Sequence, residues 1–170
     1  MVWLEAAERA PQDWLPHLLL GEELHRAGKH AEAAAAFRRV VQLRPQEVPA
    51  YGKLGVCLSE QGRLDDAAAA FARMKALDAQ SPEASNGLAL VALLRGQVDD
   101  ARRGYVATLA IDQSNIAARR GLSVLEETAG GNPAAALKWC EEIRRLAPGT
   151  PGNDECIRRN QARLAGGSGR

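Results

Sequence analysis

The 170-residue chain has 22 basic and 21 acidic side chains, interspersed to a formal net charge of +1. It has no basic stripe of the kind that binding to nucleic acid or an anionic membrane needs. With 46% apolar but only 4% aromatic residues, the core must be built mainly from Ala, Leu and Val at close helix spacing, as in a soluble all-α protein. No apolar run approaches the roughly 20 residues that span a bilayer, and no basic stretch followed by a hydrophobic one opens the chain; membrane insertion is not expected, and a cytoplasmic location is.

A period of 34 residues organises the chain from its first turn. Trp3, Ala6 and Pro11 precede Phe37, Val40 and Pro45 by that interval, so residues 1–13 are expected to be the second helix of an incomplete repeat. Trp3 would then sit beside the first hairpin as Phe37 sits beside the second. Residues 14–47 form repeat 1, with Leu20, Gly21 and Leu24 on one face of a first helix, Gly28 at a turn, and Ala33, Phe37 and Val40 on one face of a second. Pro45 can end that second helix, because proline cannot donate the next backbone hydrogen bond.

Repeat 2, residues 48–81, returns Leu54, Gly55, Gly62, Ala67 and Phe71 to the same columns, and repeat 3, residues 82–115, returns Leu88, Ala89, Gly96, Ala101 and Tyr105. Gly21, Gly55 and Ala89 are expected to face Ala33, Ala67 and Ala101 so that paired helices approach closely, with the aromatics filling the space beside them. Glu32, Asp66 and Asp100 fall near the start of each second helix, where a carboxylate favours the positive end of the helix dipole; this accounts for them without a metal. Residues 116–150 form a divergent fourth repeat, one residue longer, the extra residue falling between Glu126 and Gly131. That register puts Cys140, rather than Trp139, in the aromatic column. Residues 151–164 read as a capping helix with a polar outer face, and 165–170 as a flexible tail.

At Leu54, Gly55, Gly62, Ala67 and Phe71 the chain resembles the tetratricopeptide repeat, with its leucine-glycine, alanine and aromatic columns. The resemblance covers nearly the whole chain and implies a right-handed α-solenoid of stacked antiparallel helix hairpins, a superhelix whose first helices line a concave groove. His17, Ser85 and Arg119 depart from the aromatic that often opens the family's first helix, only Tyr51 conforming. By the same resemblance the groove takes Leu18, Glu22, His25 and Arg26 from repeat 1, and Val56, Ser59 and Glu60 from repeat 2. Repeat 3 contributes Asn86, Leu90, Leu93 and Leu94, and repeat 4 Arg120, Val124 and Glu127. Its leucines and Val56 exceed what a solvated face exposes, which suits an apolar peptide ligand, cover by a terminal helix, or membership of some of them in the interhelix core. Leu18 and Glu22 occupy places where some modules of the family clamp a chaperone's terminal carboxylate with cationic and amide groups, so that ligand class is disfavoured.

Catalysis needs a nucleophile, base or metal ligands converging in space, and few residues offer them. His17 reads as a partly buried helix residue, His30 as solvated and His25 as facing the groove. Cys57, Cys140 and Cys156 are odd in number and lack a C-x-x-C pair, which argues against a disulfide framework or a zinc site; Cys57 and Cys140 read as small buried hydrophobes, and Cys156 as the most accessible of the three, in reach of Cys140 across one helix contact if the geometry allows a redox pair. The expectation is a noncatalytic scaffold or adaptor, with no cofactor and no metal, holding a protein or peptide segment and no nucleic acid. Self-association through exposed solenoid ends is a further expected route. The alternative is an accessory or self-association domain excised from a larger enzyme or from a secretion or assembly component.

Overall fold

The computed structural model describes residues 2–128 and 131–167, and the described residues form helices joined by turns. In chain order these are α1 (Val2–Arg9), α2 (Trp14–Arg26), α3 (His30–Leu43), α4 (Val48–Glu60), α5 (Leu64–Leu77), α6 (Pro82–Leu94), α7 (Val98–Ile111), α8 (Ile116–Thr128), α9 (Pro133–Leu146) and α10 (Asn153–Gly167). They divide into two compact units, Met1–Val91 and Ala92–Arg170, the boundary falling inside α6. In the first unit each helix from α1 to α5 packs on the next; in the second, α7 packs on α8, α8 on α9 and α9 on α10.

The hairpins are closed by glycine. Gly28 and Gly62 take φ of +73° and +72°, a left-handed conformation that side chains resist. The amides of Lys29 and Arg63 bond back to the carbonyls of Leu24 and Leu58 at 2.9 Å, satisfying helix-end acceptors in the Schellman pattern. Because each turn is built alike, α2, α4, α6 and α8 begin at Trp14, Val48, Pro82 and Ile116, each 34 residues after the last. His30, Leu64 and Val98 open α3, α5 and α7 at the same step, but Pro133 opens α9 35 residues after Val98. The additional residue falls between Thr128 and Pro133, a stretch in which residues 129 and 130 lie outside the described residues. Cys140, 35 residues after Tyr105, is buried, while its neighbour Trp139 is half-buried.

Packing within the first unit rests on rings set against backbone. A Cβ added to Gly21 would fall 2.8 Å from the Phe37 ring, and one added to Gly55 2.8 Å from the Phe71 ring. The glycines expected to make room for alanines thus make room for aromatic rings. Phe71 is confined from a second side, since a Cβ on Gly87 would also collide with its ring. Tyr105 meets Gly121 in the same way in the second unit. Trp3 does not reproduce this enclosure, being 38% exposed where Phe37 is 1% exposed. The residue that α1 buries is Ala7, and the chain after it is tied to α3 by Arg39, which donates to the Pro11 carbonyl at 3.0 Å.

The C-terminal helix departs from expectation in two ways. α10 continues to Gly167, through residues 165–167 that were assigned to a tail, because Ala165 is a strong helix former and nothing before it stops the helix. Residues 168–170 of that expected tail lie outside the described residues. Cys140 and Cys156, whose number and spacing argued against pairing, are joined by a disulfide. The fold-back of α10 onto α9 brings their Cα atoms to 6.3 Å across 16 residues of sequence. The Asn153 amide donates to the Cys140 carbonyl at 2.9 Å and secures the same junction.

Replacing Gly55 with Ala should lower stability by about 1–3 kcal/mol, since the doubly confined Phe71 ring cannot retreat. That loss outweighs the ~1 kcal/mol that Ala contributes to helix propensity. Gly52→Ala, which would meet only the flexible Met74 side chain at 3.1 Å, should be neutral or stabilising. Thermal melts of the two variants check the contrast.

Burial also pushes the Tyr105 hydroxyl from an ordinary value of 10 up to about 12. The folded chain keeps this proton where the unfolded chain releases it, so its contribution is complete below about pH 10 and lost as pH rises toward 12. Tyr105→Phe should therefore lose less stability than the parent chain between about pH 9 and pH 11, read from denaturant titrations across that window.

Candidate functional site

In the first unit α2 and α4 bring several of the expected groove residues together. The Glu22 carboxylate pairs with the Lys53 ammonium at 2.9 Å. Both side chains are half-exposed, so the pair orients the two helices more than it stabilises them. One turn on, His25 Nδ1 lies 3.5 Å from Cys57 Sγ and 3.5 Å from Glu60 Oε2. His30, from the first turn of α3, brings its Nδ1 to 2.6 Å from the same carboxylate oxygen, and its ring meets that of His25 edge-on at 5.5 Å. Gln61 holds this corner closed, its amide donating to the carbonyls of His30 at 3.0 Å and Cys57 at 2.9 Å. Burial, and then the neighbouring Glu60 carboxylate, push the Cys57 thiol up to about 11.

Among the remaining expected residues of this unit, Arg26 is exposed and Val56 is 37% exposed, a large apolar side chain open to solvent. Leu18 is half-buried against the core cluster and Leu90 is half-buried on α6. Ser59 is buried and donates to the Gly55 carbonyl at 2.9 Å within its own helix. Asn86 is half-buried, and among the described residues its buried side-chain oxygen has no hydrogen-bond partner.

In the second unit Leu93 is half-buried, while Leu94 at 52% and Val124 at 39% are exposed, with Arg120 exposed beside Val124's turn of α8. Glu127 turns toward α10, accepting from Arg159 at 2.8 Å and from the buried Asn160 amide. Arg119, which replaces an aromatic of the family pattern, is buried and fully engaged. It donates to Glu142 at 3.1 Å and to the Gln113 and Asn115 carbonyls at 2.6 and 3.3 Å.

His30 was read as solvated and Cys57 as inert, so their meeting with His25 and Glu60 was missed. The available signal was positional: Cys57 and Glu60 lie three residues apart on one helix face, and His25 and His30 flank the Gly28 turn.

Helix hairpins whose first helices recur every 34 residues, closed by left-handed glycines and with Phe37, Phe71 and Tyr105 packed ring against glycine, define an all-α repeat protein. Tetratricopeptide repeat models match residues 24–91 and 86–151, and the chain belongs to the tetratricopeptide repeat family, whose repeats serve as protein-interaction modules. No curated protein sequence matches it. Solved structures agree on the fold. TTC0263, a thermophilic tetratricopeptide repeat protein of Thermus thermophilus, superposes with a TM-score of 0.79 at 19% identity, over 94% of this chain and 87% of that one. MamA superposes with a TM-score of 0.71 at 23% identity, over 85% and 84%. The Cut9–Hcn1 hetero-tetramer of APC/C matches at 0.76 and 15% identity, over 93% of this chain but 32% of that one. No helix of the described residues is long and apolar enough to cross a membrane.

Glu127→Ala should destabilise the second unit by about 1–3 kcal/mol, because it removes the carboxylate that Arg159 pairs with and leaves the buried Asn160 amide only the Cys156 carbonyl as oxygen acceptor. Arg120→Ala, at an exposed position, should stay within about 0.5 kcal/mol of the parent. Denaturant titrations of both variants check the difference.

Proposed function

We propose that the chain is a noncatalytic scaffold or adaptor that holds an extended or helical segment of another protein against the first helices of its repeats 14–47, 48–81, 82–115 and 116–150. The observation that carries this reading is the exposed Val56 on α4, with the half-buried Leu90 on α6 of the same unit. An apolar side chain open to solvent supplies affinity for the incoming segment. Leu18 and Leu90 extend the apolar surface, and Glu22, Arg26 and Glu60 orient the ligand. In the second unit Leu94 and Val124 play the apolar part beside Arg120, while Glu127 is committed to α10.

A second reading, an accessory domain within a larger assembly, draws on the Cut9–Hcn1 match, where the aligned stretch is about a third of a longer chain. The Cys140–Cys156 bond supports an oxidising compartment rather than the cytoplasm, since structural disulfides persist where thiols are not kept reduced.

Selection from a displayed library of random peptides tests the main reading. Bound peptides should share apolar anchors, and Val56→Asp and Leu90→Asp, made separately, should each weaken them at least tenfold while leaving the thermal melt of the chain unchanged. Undiminished binding to both variants would place the ligand on another surface. A melt lowered along with binding would assign the residue to the core.

A further inference from the structure

The corner where α2, α3 and α4 meet holds four metal-ligating side chains, of which the interaction reading uses only Glu60, as an orienting charge. His25 Nδ1, Cys57 Sγ and a Glu60 oxygen all lie within 4.8 Å of one another, each from a different side chain and from two separate helices. Nitrogen, sulfur and oxygen together are the donor set of zinc, a borderline-soft ion that accepts imidazole, thiolate and carboxylate alike. With bonds of about 2.0–2.1 Å to nitrogen and oxygen and about 2.3 Å to sulfur, tetrahedral edges come to roughly 3.4 Å for N to O and 3.5 Å for N to S. The His25–Glu60 and His25–Cys57 separations are each 3.5 Å, so two of the three edges already stand at the spacing of one shared ion, and the Cys57–Glu60 edge, within 4.8 Å, closes toward the roughly 3.6 Å of a sulfur-to-oxygen edge as the ion binds.

His30 adds an independent sign. Its Nδ1 is 2.6 Å from the Glu60 oxygen but off the hydrogen-bond line, and among the described residues it is a buried side-chain atom with no hydrogen-bond partner. At 2.6 Å the two atoms are too close to be two vertices of a tetrahedron, whereas an outer imidazole that turns to donate to a ligating carboxylate is the usual second partner of such a site. The side chains of His25 and Glu60 are 38% and 39% exposed, which leaves an entry path, while the thiol is buried.

We propose that His25, Cys57 and Glu60 bind one zinc(II) ion that pins α2 to α4, with His30 as a positioning residue for Glu60. The fourth vertex faces solvent and takes water. Binding is a simple exchange: the Cys57 thiol proton leaves to solvent as the sulfur–zinc bond forms, and no electron is transferred. Thiolate and carboxylate balance the dication, with both imidazoles neutral at their metal-facing or donating roles. The site goes beyond the peptide-binding reading and stands whether or not a segment docks on the same face.

Cobalt(II) titration of the full chain, with Cys140 and Cys156 bonded so that Cys57 is the free thiol, tests it directly. One equivalent should bind with a near-ultraviolet thiolate-to-cobalt band and the visible bands of four-coordinate cobalt. Zinc should displace it and raise the melting temperature, as any ligand specific to the folded state does. Cys57→Ala and His25→Gln should abolish the band, and Glu60→Gln should weaken binding at least tenfold. His30→Gln should weaken it while leaving the band's position unchanged, which a residue with only a packing role would not do. Because His25 is more than a third exposed, its variant reports on the site even if Cys57→Ala fails to fold. Absence of stoichiometric binding, binding without the thiolate band, or a band that survives His25→Gln would each overturn the proposal.

Discussion

The contact between one aromatic ring and the backbone of the helices on either side sets the spacing of the repeats. Phe71 lies against Gly55 and Gly87, so α5 is held close to the helices before and after it by the absence of two side chains. A glycine in a helix interior costs about 1 kcal/mol relative to alanine, and here that cost is offset by the apolar surface and dispersion contacts of a fully enclosed ring. With so few aromatic residues in the chain, each such ring accounts for a large share of its repeat's buried volume. The alanine columns Ala33, Ala67 and Ala101, all fully buried, do the complementary work of letting the same helices approach along their length.

Close approach has a chemical consequence. When α2 and α4 are drawn together, side chains one repeat apart in sequence become neighbours at the helix ends, and their polar groups must find partners there. Glu22 finds Lys53, and Gln61 closes onto His30 and Cys57. The meeting of His25, Cys57 and Glu60 follows from the same geometry, because the last turns of successive first helices lie side by side. Repetition therefore supplies not only a core but a set of reproducible junctions, and what happens at a junction depends on the residues that differ between repeats.

This division explains what could be read from the sequence. The turn glycines, the ring and alanine columns and the one-residue lengthening of the fourth repeat are all periodic signals, visible because every unit repeats the same local solution. For the Cys140–Cys156 bond only the chance of approach across one helix contact was legible, since the bond depends on how α10 folds back onto α9, a geometry that no column encodes. Glu127 was assigned to an open face for the same reason: its partners Arg159 and Asn160 come from a helix outside the repeat pattern. His30 was misread because its position just after a turn suggests solvent, whereas the neighbouring repeat's Glu60 and Gln61 close over it.

Departures from the period are then of two kinds, distinguished by whether their polar atoms are satisfied. Arg119 stands where the family's first helix often opens with an aromatic, but its guanidinium is met by a carboxylate and two carbonyls of its own unit, so the substitution is complete as a structural solution. Ser85 and Asn160 each leave an oxygen unpartnered, yet both are sealed within the packing, where no ligand reaches them. His30 and Asn86 also leave a buried atom without a partner, but their side chains are only half-buried, at the edge of a surface that an ion or a peptide can approach. An unsatisfied atom costs free energy in every folded molecule. At a half-buried residue the side chain can turn to recover that cost without opening the core, as His30 can toward the Glu60 carboxylate 2.6 Å from its Nδ1, so these two positions are where the first unit can rearrange most cheaply around something that docks beside them.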